Sequence, residues 1–221
     1  MVGGFVLQLI TERRGDAPLE PVLAAAVRGG VDVIQVREKG RPASALWRSV
    51  REAQSAADGG AAVVVNDRVD VARLAEVAGV HLPSDSLPPA LARRMLPSAE
   101  GWVVGVSVHS VEEARAAASA GADYVTFGHI FASDSKPGLP GRGPAALAEV
   151  VAAVEIPVLA IGGIQPDNVA SVLEAGCAGV AVIRALMDAP DPERAAAGFG
   201  EAMGRVGVRP RHPLRIRWRE W

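Results

Sequence analysis

Cysteine and aromatic residues are scarce in this sequence. A single cysteine, Cys177, excludes a disulfide framework within the chain and fits a reducing compartment. Aromatic side chains make up only 4% of the 221 residues, whereas 49% of the residues are hydrophobic. The core must therefore be built from Ala, Val, Leu and Ile, which is typical of a parallel sheet covered by helices on both faces.

Long apolar runs and a net basic charge are also absent. No apolar run reaches the roughly 18–20 residues that span a bilayer, and the N-terminus lacks the pattern of a secretory signal. We therefore expect no membrane association and a cytoplasmic location. The formal net charge of −2 provides no overall basic field, so binding to nucleic acid is not expected. Lysine occurs only at Lys39 and Lys136, where a compact ammonium is more suitable than the planar group of arginine.

Short runs rich in Val and Ile predict eight buried strands. They cover residues 5–10, 31–36, 61–65, 79–82, 102–106, 124–127, 157–161 and 179–183. Ala-rich stretches with helical spacing lie between them, at 18–28, 43–58, 69–78, 111–120, 144–154 and 166–175. This alternation, without a long linker, predicts a single (β/α)8 barrel of the TIM type, an α/β fold, over residues 1–204.

The segment 205–221 has a different composition. It contains six arginines and two prolines together with Trp218 and Trp221, and it shows no clear periodicity. Two interpretations stay open, a disordered tail and a segment that packs at a subunit interface, since an exposed Trp is costly. We expect the protein to form a homo-oligomer.

Polar residues follow most of the predicted strands, at the end where such barrels place their active sites. They are Gln35, Arg37 and Lys39 after the second strand, Asn66 and Asp67 after the third, His81 after the fourth, Ser107 and His109 after the fifth, and His129, Ser133, Ser135 and Lys136 after the sixth. Alternation places Gln35, Arg37 and Lys39 on one side, where they suit an anionic substrate; a surface salt-bridge cluster is the alternative. Three histidines at one rim favour a functional role over a structural one.

The last two strands end in features of a phosphate site. Gly162 and Gly163 follow the seventh strand, and Ile183 and Arg184 precede a helix after the eighth. Glycine allows close approach of backbone N–H groups to an anion, and a helix N-terminus adds a favourable dipole. Ser133, Ser135 and Lys136 are expected to close over the same phosphate as hydroxyl donors and a point charge.

Five motifs in this order resemble the thiamine phosphate synthase superfamily over roughly residues 5–190. They are Gln35-x-Arg37-x-Lys39, Asn66-Asp67-Arg68-Val69-Asp70, Gly79-Val80-His81-Leu82, Gly105-x-Ser107-x-His109-Ser110 and Ala160-Ile161-Gly162-Gly163-Ile164. The resemblance implies the barrel fold, a cytosolic location and a ligand of thiamine biosynthesis.

The synthase of this superfamily joins a hydroxymethylpyrimidine pyrophosphate to a thiazole phosphate and needs Mg²⁺. Its motif after the fourth strand reads His-x-Gly-Gln-x-Asp, and the last Asp holds the metal together with the Asp of Asn-Asp-Arg. Here residues 81–86 read His-Leu-Pro-Ser-Asp-Ser, so Ser86 stands at the position of the metal carboxylate and Asp85 is expected to point elsewhere. A hydroxyl is a poor ligand for Mg²⁺, so we expect no cofactor; Asp67 would bind Mg²⁺ only in a synthase.

The motif after the sixth strand is similar to that of the thiazole tautomerase branch. Synthases have Gly-Pro-(Ile/Val)-Phe there, whereas this chain has His129 at the second position. The resemblance implies an isomerase that aromatises a carboxythiazole phosphate without a metal. His129 would transfer the proton, Arg37 and Lys39 would attract the ring carboxylate, and Ser107 or His109 would orient the ring.

We therefore expect a thiazole tautomerase, with two alternatives. The first is a Mg²⁺-dependent thiamine phosphate synthase, which the intact Asn66-Asp67-Arg68 motif keeps open. The second is a non-catalytic regulatory or ligand-binding protein, which only the arginine-rich tail supports.

Overall fold

A computed structural model describes residues 4–13, 15, 17–132 and 138–216. The strands are β1 (Val6–Ile10), β2 (Val33–Val36), β3 (Ala62–Asn66), β4 (Gly79–Leu82), β5 (Val103–Val108), β6 (Tyr124–Gly128), β7 (Val158–Ile161) and β8 (Gly179–Val182). The helices are α1 (Glu20–Arg28), α2 (Ala43–Ala57), α3 (Val69–Leu74), α4 (Pro89–Ala92), α5 (Val111–Ser119), α6 (Gly143–Ala153), α7 (Val169–Leu173), α8 (Arg184–Met187) and α9 (Pro192–Gly204), with a 3₁₀ turn at Ser98–Glu100.

The eight strands form a closed parallel barrel in sequential order, in which β1 pairs with β8. Every residue of β1, β2, β4 and β8 is buried, because side chains either fill the barrel interior or pack against the surrounding helices. The predicted (β/α)8 fold is thus confirmed, and each predicted strand matches an observed one to within two residues at either end.

The helices depart further from the prediction. Helix α3 ends at Leu74 instead of residue 78, because Glu76 takes a left-handed φ of 54° and the N–H of Ala78 donates to the Val63 carbonyl in the sheet. Helices α4 and α9 were not among the predicted segments. The side chain of Asp191 caps α9 by accepting a hydrogen bond from the N–H of Arg194.

The segment that follows α9 runs beneath the barrel. Leu214 is 3% exposed and belongs to a cluster with Val6, Tyr124 and Leu159 at the N-terminal ends of the strands. The N–H of Arg211 donates to the Gly176 carbonyl. Residues 205–216 therefore close the lower end of the barrel, whereas Trp218 and Trp221 lie outside the described residues.

None of the helices within the described ranges is long and apolar enough to cross a bilayer.

Candidate active site

A cavity of about 680 Å³ opens at the C-terminal ends of the strands. It lies within the range of small-molecule sites and has room for more than one small ligand. Its lining includes the following residues that the sequence had indicated: Gln35, Arg37, Lys39, Asn66, His81, Ser107, His109, His129, Gly162, Gly163, Ile183 and Arg184. The predicted Ser133, Ser135 and Lys136 lie outside the described residues.

A row of amide side chains crosses the barrel interior at the base of the cavity. Gln8 Nε2 donates to Gln35 Oε1 at 2.6 Å, and Gln35 Nε2 donates to Asn66 Oδ1 at 2.9 Å. Gln8 and Gln35 are buried, so their rotamers are restricted by packing as well as by these bonds. The row fixes the orientation of the Asn66 amide at the base of the cavity.

A second hydrogen-bonded group surrounds His81. Its Nδ1 lies 3.0 Å from the Tyr124 hydroxyl oxygen, and its Nε2 lies 2.9 Å from Ser107 Oγ and 3.3 Å from Thr126 Oγ1. Burial lowers the pKa of His81 to about 3, so the ring is neutral at physiological pH. A neutral imidazole has one donor and one acceptor, so the tautomer of His81 determines whether the Ser107 hydroxyl donates to it or accepts from it.

Two further histidines line the cavity between β5 and β6. His109 Nδ1 lies 3.2 Å from the Gly128 carbonyl oxygen, and His129 Nε2 lies 3.3 Å from the Leu139 carbonyl oxygen. Both contacts fit N–H donation, because a carbonyl oxygen only accepts. His129 is 8% exposed, and its Nδ1 has no hydrogen-bond partner among the described residues.

The glycines after β7 approach the β6 loop closely. Gly162 has a φ of 103°, and a Cβ atom there would lie 2.5 Å from the Cβ atom of His129. Gly163 has a φ of 66°, and its Cβ atom would lie 2.6 Å from the Ala132 carbonyl oxygen. Glycine is thus required at both positions, and the exposed backbone can approach an anion. The adjacent helix α8 spans only four residues, so its dipole is small, and Arg184 provides the charge at this position.

Comparison with known proteins identifies the relatives of this chain. Residues 7–186 match the family model described as "Thiamine monophosphate synthase". The chain belongs to the thiamine monophosphate synthase family. It is 44% identical to the thiamine-phosphate synthase of Roseiflexus sp. (strain RS-1), over 87% of this chain and 83% of the relative. It is 52% identical to that of Anaeromyxobacter dehalogenans (strain 2CP-C), over 78% of each chain.

Solved structures agree with this membership. The chain superposes on a thiamine phosphate pyrophosphorylase from Pyrococcus furiosus with a TM-score of 0.82 and 33% sequence identity. The match covers 93% of this chain and 98% of the other, so no large element separates the two folds.

These relatives correct the expected function. The prediction of a thiazole tautomerase, and with it of an isomerase, is wrong, because relatives that are 44–52% identical over most of the chain are named thiamine-phosphate synthase. The prediction depended on His129 and on the altered segment 81–86, which are small changes at the rim of the cavity. The cations and the glycines of the cavity belong to the motifs that resemble the superfamily in general, so they do not favour a tautomerase.

In the altered family motif at residues 81–86, the position of Asp85 differs from the one predicted. Asp85 lines the cavity, whereas the Ser86 hydroxyl donates a hydrogen bond to Asp67 Oδ1. The expectation that Asp85 points elsewhere is therefore wrong. The Ser86 N–H donates to the Pro83 carbonyl in a tight turn, and this turn directs the side chain of Asp85 rather than that of Ser86 to the cavity.

Several residues at the site are not among those predicted from the sequence. Thr126 lines the cavity, and its position two residues before Gly128 on β6 would have indicated an inward side chain. Gln8 and Tyr124 lie deeper in the barrel, where the same alternation applies. Glu38 is flanked by two predicted site residues; one of its partners, Arg41, is three residues away, but the other, Arg13, comes from a distant segment that no local pattern indicates.

Proposed function

We propose that this protein is a thiamine-phosphate synthase, a transferase that joins a hydroxymethylpyrimidine pyrophosphate to a thiazole phosphate. One observation carries the proposal: two separate groups of residues suited to anions line the cavity. Arg37 and Lys39 follow β2, and Gly162, Gly163 and Arg184 follow β7 and β8. Strand β1 separates the two positions in the closed barrel. Two positions suit a reaction between two phosphorylated molecules. A single carboxythiazole phosphate would also present two anionic groups, and the relatives named thiamine-phosphate synthase favour the two-substrate reaction.

The proposed reaction exchanges one bond for another. The bond between the methylene carbon of the pyrimidine and the oxygen of pyrophosphate breaks, and that carbon bonds to the ring nitrogen of the thiazole. The leaving pyrophosphate takes the electron pair of the broken bond and gains negative charge. Fixed cations near the leaving group stabilise that charge without reorganisation at the moment of reaction. Arg37 and Lys39 are the residues for this role, and the glycines with Arg184 would hold the thiazole phosphate.

Uncharged groups at the base of the cavity would orient the rings. Asn66 is fixed by the amide row, and Ser107 is fixed by the neutral ring of His81. Neither group introduces a charge next to the reacting carbon. The two rings would therefore be held by hydrogen bonds and packing, while the charged groups act on the phosphates.

The residues present fit a magnesium ion that is shared with the substrate. Proteins bind Mg²⁺ through one or two carboxylates together with substrate phosphates. Asp85 lines the cavity, and Asp67 is joined to the same turn by the hydrogen bond from Ser86. Asp85 and Asp67 would hold the ion, which when bound neutralises charge on the pyrophosphate. In the described part of the chain no group of three or more His, Cys, Asp or Glu side chains forms a metal site without substrate.

Product formation tests the proposal directly. We expect purified protein with both substrates and Mg²⁺ to form thiamine phosphate and to release pyrophosphate in equal amounts. An Arg37→Gln variant should form product much more slowly, whereas Glu193→Gln, which removes a charge at the exposed pair with Arg28, should not change the rate. Absence of product at high enzyme concentration would overturn the proposal.

A further inference from the structure

Glu38 stands between the two cations of the cavity rim, but its side chain does not line the cavity. That side chain is 2% exposed, and its Oε2 lies 3.7 Å from Arg13 Nε and 3.4 Å from Arg41 Nε. Its Oε1 has no hydrogen-bond partner among the described residues. Burial of a carboxylate is costly even next to a cation, so this arrangement differs from an ordinary surface ion pair.

Arg13 connects Glu38 to helix α2. The Arg13 side chain is 8% exposed, and its Nη2 donates to Glu52 Oε1 at 2.9 Å and to Ser49 Oγ at 3.1 Å. Glu52 Oε2 in turn accepts a hydrogen bond of 2.6 Å from the N–H of Leu19. The ion network thus joins the loop after β1, the loop after β2 and helix α2.

The backbone of the same loop is held by Thr11. The N–H of Arg37 donates to Thr11 Oγ1 at 2.8 Å, and the N–H of Thr11 donates to the Gln35 carbonyl at 2.9 Å. Thr11 is fully buried. Arg37 is therefore fixed through its own backbone on one side and through the neighbouring Glu38 on the other.

We propose that Arg13, Glu38 and Glu52 are positioning residues that hold the backbone of residues 37–39 so that Arg37 and Lys39 point into the cavity. This inference rests on the proposed function, in which those two cations bind the pyrophosphate group. Arg and Lys have long, flexible side chains, so a fixed backbone reduces the conformational entropy that is lost on binding an anion. A site that is held by a supporting shell binds more tightly than the same residues on a free loop.

The electrostatics of Glu38 agree with a positioning role. Burial raises the pKa of Glu38, and the nearby Arg13 and Arg41 offset that effect only in part. By contrast, hydrogen bonds from Arg13 and Leu19 outweigh burial and lower the pKa of Glu52. The ionised form of Glu38 is thus disfavoured by the fold, and groups that reduce stability are common where function requires them.

Direct binding of inorganic pyrophosphate tests the inference. Titration calorimetry would compare the unchanged protein with Glu38→Gln, and would repeat the comparison in an Arg37→Gln/Lys39→Gln background. We expect Glu38→Gln to raise the Kd about tenfold in the first case, which is the size of effect seen for coupled groups, and to change it less than about twofold in the second. The thermal midpoint should not fall in the Glu38→Gln variant.

The comparison of Glu38→Gln in the two backgrounds separates a positioning role from general destabilisation of the protein. An equal loss of affinity in both backgrounds would overturn the inference, and so would an unchanged Kd or the absence of measurable binding by the unchanged protein. Glu193→Gln removes the same charge at an exposed pair and should leave the Kd unaltered. Pyrophosphate binding does not require product formation. If the synthase assay gave no product but the effect of Glu38→Gln still depended on Arg37 and Lys39, the proposed function would be overturned and the positioning role would stand.

Discussion

The Ser86 hydroxyl donates a hydrogen bond to the Asp67 carboxylate, and the synthase motifs that this chain resembles carry an aspartate at both of these positions. The neighbouring Asp85 faces the cavity instead. The carboxylates that are available to a cation are therefore arranged differently from those of the family motif, although their number in this region is the same.

A Ser86→Asp variant should bind divalent cations more tightly. The change adds a carboxylate next to Asp67 and removes the hydroxyl that occupies one of its oxygens, and Mg²⁺ prefers charged oxygen ligands. We expect the Kd for Mn²⁺, measured by electron paramagnetic resonance without substrate, to fall by about tenfold, or about 1.4 kcal/mol. Ser98→Asp adds the same charge at an exposed position and serves as the control. Equal Mn²⁺ affinity in both variants would contradict the prediction.

A Gly162→Ala variant should lose phosphate affinity. The φ of 103° at residue 162 is strained for alanine, and the new Cβ atom would lie 2.5 Å from the Cβ atom of His129. The glycine loop after β7 must therefore shift. We expect the KM for the thiazole phosphate to rise at least about tenfold. Gly198→Ala, in the interior of α9, should instead stabilise the fold by about 0.5–1 kcal/mol without changing the KM. An unchanged KM in Gly162→Ala would show that the glycine loop after β7 does not bind this phosphate.

The stability of the protein should depend on pH through His81. Its pKa is about 3 in the folded state, below that of a free imidazole, so the unfolded chain binds the proton more readily. The contribution of neutral His81 to the free energy of unfolding is complete above about pH 6.5. It is lost as the pH falls toward 3, at up to about 1.4 kcal/mol per pH unit. Urea unfolding from pH 7 to pH 4 should show a smaller decline for His81→Gln. Parallel curves for the two proteins would contradict a buried neutral imidazole.

Glu38 should have the opposite effect on the pH dependence. Burial and the nearby Glu52 raise the pKa of Glu38 in the folded state, and Arg13 and Arg41 offset this rise only in part. The folded protein therefore binds this proton more tightly than the unfolded chain. The contribution of Glu38 is favourable below about pH 4.5 and is lost as the pH rises through the raised pKa. The free energy of unfolding of Glu38→Gln relative to the unchanged protein should therefore increase between pH 4 and pH 7. A constant difference would argue against the raised pKa.

A Leu214→Ala variant should lower stability and leave the chemistry unchanged. Leu214 is 3% exposed in the cluster beneath the barrel, at the opposite end from the cavity. We expect a loss of about 2–4 kcal/mol in the free energy of unfolding, with unaltered KM values. The partly exposed Val208 provides a control, since Val208→Ala should cost less than about 1 kcal/mol. Equal losses in the two variants would mean that Leu214 is not part of the core.

The barrel and the rim of the cavity were predictable from the sequence because both follow from local patterns. Buried runs such as 62–66 identify strands, and the residues that follow parallel strands must meet at one end. The end of α3 was not predictable, since it depends on the left-handed conformation of Glu76.

The remaining errors concern geometry beyond the local pattern. The tight turn from Pro83 to Ser86 determines which side chain faces the cavity, and simple alternation does not apply inside a turn. Arg13 reaches Glu38 from another part of the chain and also binds Glu52 of helix α2, and only the packed fold brings these residues together. The tautomerase prediction is wrong because it depends on two single positions, His129 and Ser86, whereas the other motifs are common to synthases and tautomerases.

Leu214 also bears on how the chain is made. The cluster that it completes begins with Val6, more than 200 positions earlier in the sequence. During synthesis on the ribosome, all eight strands leave the exit tunnel before this leucine does. The nascent barrel therefore exposes the apolar side chains of its lower end to water until residue 214 emerges, and only then can that end be closed.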